Sequence, residues 1–238
     1  MSVAAVFGAG GAIGHALVER LAASGRYQRI HAGSRRSCSD FAPCVSPFTF
    51  DLTDEASIAA AMGQIDHAPE LVILSSGLLH DAARTIAPEK SLRAIDAAAM
   101  ARVLAVNTIG PALIAKHILP RLPRDRRAVF AVLSARVGSI GDNRLGGWHA
   151  YRASKAALNM LIANFAIEMR RTHPHAILVA LHPGTVDSAL SAPFQGAVAP
   201  GKLFTAQTAA AHLMTVIDGL TTADSGGFFA WDGARVPW

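Results

Sequence analysis

Short apolar runs that alternate with helix-like segments constrain the fold of this chain most strongly. The runs lack the alternation of polar and apolar residues that marks a strand with one wet face, so they are typical of strands buried on both faces of a parallel sheet. The strand–helix order predicts a doubly wound α/β sheet with right-handed crossovers. The predicted strands are 3–7, 29–33, 47–50, 71–74, 128–133, 176–181 and 227–231, and the predicted helices are 13–24, 55–62, 96–117 (interrupted at Gly110-Pro111), 151–171 and 205–220.

The composition is that of one globular unit. The chain has 238 residues, of which 51% are hydrophobic and 16% charged, and it contains no internal repeat, low-complexity tract or Pro/Gly-rich linker. We therefore expect a single domain over residues 1–238, with a sheet of about seven strands. The net charge is +5, but the basic residues fall in short separate groups, so the charge does not favour a nucleic-acid partner.

Targeting signals are also lacking. No uninterrupted apolar run reaches the roughly 18 residues of a membrane span, which predicts no membrane partner. The first residues, Met1-Ser2-Val3, precede an apolar run without a basic segment, so they read as a strand rather than a signal peptide. We expect a cytoplasmic protein. Neither the histidines nor Cys38 and Cys44 show a metal-ligand spacing, so no metal site is predicted.

A glycine-rich turn, Gly8-Ala9-Gly10-Gly11-Ala12-Ile13-Gly14, follows the first predicted strand and opens the first predicted helix. Glycines let the backbone turn sharply and let a pyrophosphate approach the N–H groups of a helix N-terminus. This position in an α/β chain favours a nucleotide cofactor. A tight turn without a ligand is the alternative.

A second motif places Tyr151 four residues before Lys155. On a helix this spacing puts both side chains on one face. A nearby ammonium favours the phenolate and lowers the pKa of a tyrosine toward the range useful for acid–base catalysis. The pair alone is weak evidence, because tyrosines and lysines at this spacing are common on surface helices.

Taken together, these motifs resemble those of the short-chain dehydrogenase/reductase family, and the resemblance covers almost the whole chain. The segments 146–148, 182–188, 193–195 and 231–238 resemble the C-factor-like subgroup. The matching positions, in chain order, are Gly8, Ile13 and Gly14 in the turn, Asp51-Leu52 after the third strand, Asn107 in a helix, the Tyr151 and Lys155 pair, and Pro183-Gly184 with the residues that follow.

The resemblance implies a Rossmann-type fold and a role for each matching residue. Tyr151 would exchange a proton with a substrate oxygen, Lys155 would lower the pKa of Tyr151 and hold the nicotinamide ribose, and Asn107 would hold a water of a proton relay. A helix-interior asparagine bonded to backbone is the alternative for Asn107. The family's quaternary structure implies a homodimer or homotetramer. The expected cofactor-binding residues are Gly8, Gly10, Gly11, Ala12, Ile13, Gly14, Ser34, Arg35, Asp51, Leu52, Ser76, Gly77, Tyr151, Lys155, Pro183, Gly184, Val186 and Ser188.

The chain departs from the family pattern at its catalytic serine. That position is Ala135, and either Ser134 or Ser139, or neither, takes its place. The loss of one such hydrogen bond costs roughly 10²–10³ in rate in other enzymes. Two functions therefore stay open: an oxidoreductase acting on a carbonyl or secondary alcohol, and a cofactor-binding scaffold or signalling protein with little catalysis.

The end of the second strand bears on the choice of cofactor. A carboxylate there would bind the ribose hydroxyls of NAD(H) and repel a 2′-phosphate. This chain has Ser34 and then Arg35, and an arginine suits a phosphate, so we expect NADP(H) rather than NAD(H). The small-molecule substrate is expected to contact the apolar residues Trp148, Leu190, Pro193 and Phe194.

Overall fold

Seven parallel strands form one sheet, as the alternation in the sequence predicts. Their order across the sheet is β3-β2-β1-β4-β5-β6-β9. The structure is a computed structural model that describes residues 1–38, 41–81, 83 and 85–238. The strands are β1 (Val3–Phe7), β2 (Arg29–Ser34), β3 (Val45–Thr49), β4 (Leu71–Leu74), β5 (Ala128–Leu133), β6 (Ala176–His182), β7 (Thr185–Val186), β8 (Leu203–Phe204) and β9 (Phe228–Ala230), of which β7 and β8 pair separately.

Helices cover both faces of the sheet, which confirms the doubly wound class. They are α1 (Ala12–Ala23), α2 (Glu55–Met62), α3 (Ala97–Leu104), α4 (Gly110–Ile118), α5 (His149–Met169) and α6 (Ala206–Gly219). On one face, α5 buries Leu158, Ile162 and Ala166 beside α2 and α4. On the other, α1 and α6 pack with apolar residues such as Leu17 and Leu213. In α1, α4, α5 and α6 the buried residues recur every three or four positions, as a helix packed on a sheet requires.

The helix predicted over 96–117 is interrupted by a π-helical turn, Ala105–Ile109. Pro111, which has no N–H to donate, stands at the start of α4 directly after this turn. A side-chain carbon on Gly110 would lie 2.5 Å from Leu52 Cγ, so only glycine lets α4 pack on the loop after β3. Wide turns of this kind redirect side chains and often occur at functional sites. This one turns Asn107 fully inward.

By length and composition alone, the stretch Ala97–Arg121 could cross a membrane. It includes Arg102 and Lys116, so it is not an uninterrupted apolar run. In the fold this stretch packs against α5 and α2. Core helices of ordinary domains meet the same criterion, and the expectation of no membrane partner stays a prediction.

The loops that carry the sequence motifs meet at the carboxyl edge of the sheet. Gly8 N and Ala9 N donate to Gly33 O at 2.8 and 2.9 Å, and Ser75 N donates to Phe7 O at 2.8 Å. These bonds join the ends of β1, β2 and β4. The strand order reverses between β1 and β4, and ligands of doubly wound sheets bind in the crevice at such a point.

Candidate active site

The glycine-rich turn forms an open cradle at the start of α1. Gly8 has φ of +95°, and a side-chain carbon there would lie 2.8 Å from Ser76 N. A side-chain carbon on Gly14 would collide with the carbonyl oxygen of Gly8. Gly11 offers no side chain to cap α1, and the first turn holds no acidic residue, so the amides of residues 12–14 are open to an anion. These residues fit the pyrophosphate of a dinucleotide.

Ser34 lies next to this cradle, as the sequence predicts. A side-chain carbon on Gly10 would contact Ser34 Cβ at 3.4 Å. The Ser34 hydroxyl is buried and donates to the carbonyl of Arg36 at 2.5 Å, while the Arg35 side chain is exposed. A compact serine therefore stands where a carboxylate would repel a phosphate, with a guanidinium beside it.

Asp51 and Leu52 follow the edge strand β3. Asp51 Oδ1 accepts from Thr53 N at 2.8 Å and from the Thr53 hydroxyl at 2.7 Å. These hydrogen bonds, helped by the positive charge of Arg35, hold the pKa of Asp51 below its usual value. The Asp51 carboxylate is thus ionised and exposed, whereas the Leu52 side chain is buried beneath α4.

Tyr151 and Lys155 lie on the buried face of α5, as their spacing predicts. Lys155 Nζ donates to Leu133 O at 2.7 Å and lies 5.9 Å from the centroid of the Tyr151 ring. The expected lowering of the Tyr151 pKa by Lys155 stays a prediction, because burial dominates the pKa values of both groups here. Burial raises the pKa of Tyr151 to about 12 and lowers the pKa of Lys155 to about 8, because either charge loses solvation.

Asn107 is buried beside this pair and is fully hydrogen-bonded. Its Oδ1 accepts from Leu78 N at 2.7 Å, and its Nδ2 donates to Leu78 O at 2.8 Å and to Ser154 Oγ at 3.0 Å. The side chain thus makes the backbone bonds of the alternative interpretation. It also ties the π-helical turn to α5 through Ser154, a residue that the motif analysis did not single out.

The segment after β4 completes the site on that side. A side-chain carbon on Gly77 would lie 3.9 Å from both Asn107 Oδ1 and Lys155 Nζ. Gly77, Asn107 and Lys155 therefore surround one small volume, and Ser76 connects it to the cradle at Gly8.

The loop Pro183–Ser188 closes the other side. Gly184 has φ of +78°, and a side-chain carbon there would lie 2.7 Å from the Phe204 ring. Val186 is buried, and its carbonyl accepts from Ser188 Oγ at 3.3 Å and from Ser191 Oγ at 2.5 Å. Hydrogen bonds within the loop thus fix the shape of a segment that is expected to bind the cofactor.

Neither serine near Ala135 offers a free hydroxyl proton. Ser134 is buried and donates to Asn159 Oδ1 at 2.6 Å. Ser139 is buried and donates to Pro237 O at 2.5 Å, while it accepts from Asp142 N. A hydroxyl has one proton to donate, so both candidates are engaged in the scaffold. In this conformation, therefore, neither Ser134 nor Ser139 offers a hydroxyl proton to a substrate oxygen.

Aromatic side chains border Tyr151 on the substrate side. The Trp148 ring lies 4.9 Å from the Phe194 ring and 6.3 Å from the Tyr151 ring, measured between centroids. Trp148 and Phe194 were predicted from their apolar character. His80, which was not predicted, lies 5.8 Å from Phe194. Glu89 and Arg152, which hold the segment around Trp148, were also missed, since no motif marks them.

Two further features lie outside this site. Within the described ranges, no three His, Cys, Asp or Glu side chains are grouped as metal ligands would be. A surface groove of about 530 Å³ runs between α1 and α6, and none of its lining residues belongs to the predicted site.

Comparison with known sequences places this arrangement in a family. The family model described as short chain dehydrogenase matches residues 2–197. The C-signal protein of Myxococcus xanthus is 36% identical over 145 residues, which are 60% of this chain and 81% of that protein. This similarity confirms the C-factor-like resemblance. A 1-hydroxy-2-glutathionyl-2-methyl-3-butene dehydrogenase of a Rhodococcus species is 37% identical over 137 residues, which are 58% of each chain.

Solved structures agree with the sequence comparison. The NADPH-bound carbonyl reductase from chicken fatty liver superposes with a TM-score of 0.85 at 27% identity, over 100% of this chain and 98% of that one. The superposition thus spans the whole of this chain, including the segments that carry the glycine-rich turn and Tyr151.

Proposed function

Because this chain belongs to the short chain dehydrogenase family, we propose that it is an NADP(H)-dependent oxidoreductase that interconverts a carbonyl compound and a secondary alcohol. One observation carries the proposal: Tyr151 and Lys155 lie on the buried face of α5, and Lys155 Nζ borders the same small volume as Gly77 and Asn107. An acid–base residue, an ammonium and an open anion cradle meet there at one edge of the sheet.

Each residue has a role that follows from its position. The bound nicotinamide supplies or accepts the hydride. The cradle of Gly8 to Gly14 holds the pyrophosphate, and Arg35 holds a 2′-phosphate. Tyr151 donates its phenolic proton to the carbonyl oxygen during reduction. Its raised pKa keeps the phenol protonated at neutral pH, which is the form that reduction requires.

Lys155 and Asn107 support the phenol. The Lys155 ammonium is held by Leu133 O within reach of the volume beside Gly77, where it would bind ribose hydroxyls. The Asn107 side chain is occupied by Leu78 and Ser154, so any water of a proton relay would bind to the backbone of the π-helical turn.

A second candidate function is a cofactor-binding protein with weak catalysis. The observation that favours it is the engagement of Ser134 and Ser139 in hydrogen bonds to the scaffold, beside Ala135. The removal of one donor to a developing oxyanion costs roughly 10²–10³ in rate in other enzymes. The intact Tyr151 and Lys155 pair favours the oxidoreductase.

The acid role is tested by Tyr151→Phe. We expect this variant to lose NADPH-dependent reduction across a panel of ketones and aldehydes, while its NADPH affinity, measured calorimetrically, stays nearly unchanged. Tyr27→Phe is the matched control, since Tyr27 is the only other tyrosine and packs against α1 and its neighbours on the opposite face of the sheet. Undiminished turnover in Tyr151→Phe would remove the assigned role.

The cofactor choice is tested separately, by titration with NADPH and NADH. We expect tighter NADPH binding, a preference for NADH in Arg35→Asp, and little change in Arg36→Asp, the neighbouring exposed arginine. Equal affinities in the parent protein would argue against the phosphate site at Arg35. The absence of binding by either cofactor would argue against the oxidoreductase altogether.

Self-association is part of the proposal. On α5, the side chains of Met160 and Ile167 are 61% and 60% exposed, and Ile109, just before α4, is 53% exposed. Exposed apolar side chains on these helices support a homodimer or homotetramer.

A further inference from the structure

Trp148 has a strained backbone directly beside Tyr151. Its φ of 51° and ψ of 43° lie in the left-handed region, and it follows Gly146 and Gly147, whose φ angles are 63° and 65°. Of the residues that the structure describes, Trp148 alone adopts positive φ without being glycine. A bulky side chain rarely tolerates this conformation, and such strain concentrates at functional sites.

Hydrogen bonds from two sides hold this turn in place. Trp148 N donates to Glu89 O at 2.6 Å, and the buried Glu89 carboxylate accepts from Ala150 N at 3.2 Å. The Arg152 guanidinium donates to the carbonyls of Gly146, Gly147 and Val137 at 3.1, 3.0 and 3.1 Å. The surrounding structure therefore imposes a conformation that tryptophan disfavours by itself.

The left-handed backbone conformation of Trp148 determines where its indole ring lies. Trp148 packs at 4.9 Å from Phe194, which in turn lies 5.8 Å from His80. His80 Nε2 is 3.1 Å from Leu190 O, which fastens the loop that carries Phe194. We name Trp148, Phe194 and His80 the aromatic wall. It stands next to the Tyr151 ring and contains no carboxylate, lysine or arginine.

We propose that Trp148, with Phe194, determines substrate specificity by binding an aromatic ring attached to the reacting carbonyl, so that aryl ketones and aldehydes are the preferred substrate class. This inference rests on the proposed oxidoreductase function. Since Ser134 and Ser139 are engaged elsewhere, a substrate has to be oriented largely by contacts with its body. Aromatic pairs prefer particular edge and face geometries, so a ring against the aromatic wall is held at a defined angle to Tyr151.

Binding in complexes that cannot react tests this inference. A ketone and NADP⁺ cannot exchange hydride, so calorimetry with NADP⁺ present measures substrate affinity alone. The probes are acetophenone and cyclohexyl methyl ketone, which have similar shape but differ in aromaticity. We expect the parent protein to bind acetophenone roughly 3- to 10-fold more tightly, the factor that a specific aromatic contact provides.

Matched variants separate the ring from the strained backbone. Trp148→Asn removes the ring but suits a left-handed backbone, and it should abolish the preference for acetophenone. Trp148→Phe should keep part of it. Phe194→Leu should also reduce it, and this variant leaves the strained turn unchanged. Trp238→Asn is the control, since Trp238 stacks on Phe228 and not on the aromatic wall.

The outcomes distinguish this inference from the proposed function. Equal affinities for the two probes in the parent protein, or a preference that survives in both Trp148→Asn and Phe194→Leu, would overturn the role of the aromatic wall. Failure of NADPH to reduce any ketone would count against the oxidoreductase instead, and the preference in binding would still be measurable.

Discussion

At the scale of single residues, burial decides the chemistry of the Tyr151 and Lys155 pair. Their spacing places both on one face of α5, but burial of that face stabilises the uncharged forms. The pKa of the Tyr151 phenol rises to about 12 and that of the Lys155 ammonium falls to about 8. Coulombic attraction between an ammonium and a phenolate weakens with distance, and here Lys155 Nζ is 5.9 Å from the Tyr151 ring centroid.

This leads to a prediction for the ligand-free protein. Burial raises the pKa of both tyrosines, Tyr27 and Tyr151. Absorbance at the tyrosinate band should therefore rise much less between pH 9 and about pH 11 in the folded protein than in the denatured chain, whose tyrosines titrate near pH ~10. In the Tyr27→Phe variant, Tyr151 is the one remaining tyrosine, so the absorbance change reports its titration alone. A folded Tyr27→Phe protein that titrates near pH ~10 would show that Tyr151 is not desolvated.

At the scale of elements, the room between neighbouring elements decides which residues the cradle tolerates. The turn before α1 packs so closely on itself that a side-chain carbon on Gly14 would meet Gly8 O. By contrast, a side-chain carbon on Gly219, near the end of α6, would meet nothing within 4 Å. The two helical glycines therefore make a matched pair for substitution.

Gly14→Ala should weaken NADPH binding by more than about tenfold and lower the midpoint of thermal unfolding, because the turn must open to admit the methyl group. Gly219→Ala should leave binding unchanged and raise stability by about 0.5–1 kcal/mol, since alanine favours a helix over glycine. Calorimetric titration and thermal melts measure both effects. Equal responses at the two positions would mean that the tight turn has no part in cofactor binding.

For the molecule as a whole, histidines that the fold shields from water link stability to pH. His182 ends β6 at the carboxyl edge of the sheet, and its Nδ1 has no hydrogen-bond partner among the described residues. Burial, with the nearby Arg136 charge, lowers the pKa of His182 from 6.5 to about 4, and Asp232 partly opposes this. Burial likewise lowers the pKa of His31 and of His173.

The sign of the effect follows from proton uptake. Below pH 6.5 the unfolded chain protonates His182, whereas the folded protein does so only near pH 4. The free energy of unfolding should therefore fall as pH drops through this window, with a His182 share on the order of 3 kcal/mol. Urea unfolding of His182→Asn between pH 7.5 and 4.5 should show a shallower pH dependence. His67→Asn, which changes an exposed histidine, is the control. If the free energy of unfolding of His182→Asn depends on pH as steeply as that of His67→Asn, the assignment to His182 is contradicted.

Assembly also belongs to this scale. Met160 and Ile167 are seven residues apart on α5, so they share one face. We expect size-exclusion chromatography with light scattering to give a dimer or tetramer, and the double variant Met160→Glu/Ile167→Glu to give a smaller species. Leu145→Glu, at a 92% exposed loop residue, is the control. A monomeric parent protein at micromolar concentration would rule out this interface.

Local sequence patterns were enough to predict the parallel sheet, the glycine-rich turn before α1 and the shared face of Tyr151 and Lys155 on α5. These features depend on local patterns: apolar runs too short and uniform for exposed strands, glycines directly after β1, and a spacing of four on α5. They could be predicted because each pattern lies within a few neighbouring residues.

How that site is completed depends on contacts between segments that are distant in the sequence. The hydroxyls of Ser134 and Ser139 bond to Asn159 and Pro237, which are far away in the sequence. Trp148 is held in a left-handed turn by Glu89 and by Arg152. Packing of distant elements determines which donors stay free and how much water reaches each charge, and no local pattern records those contacts.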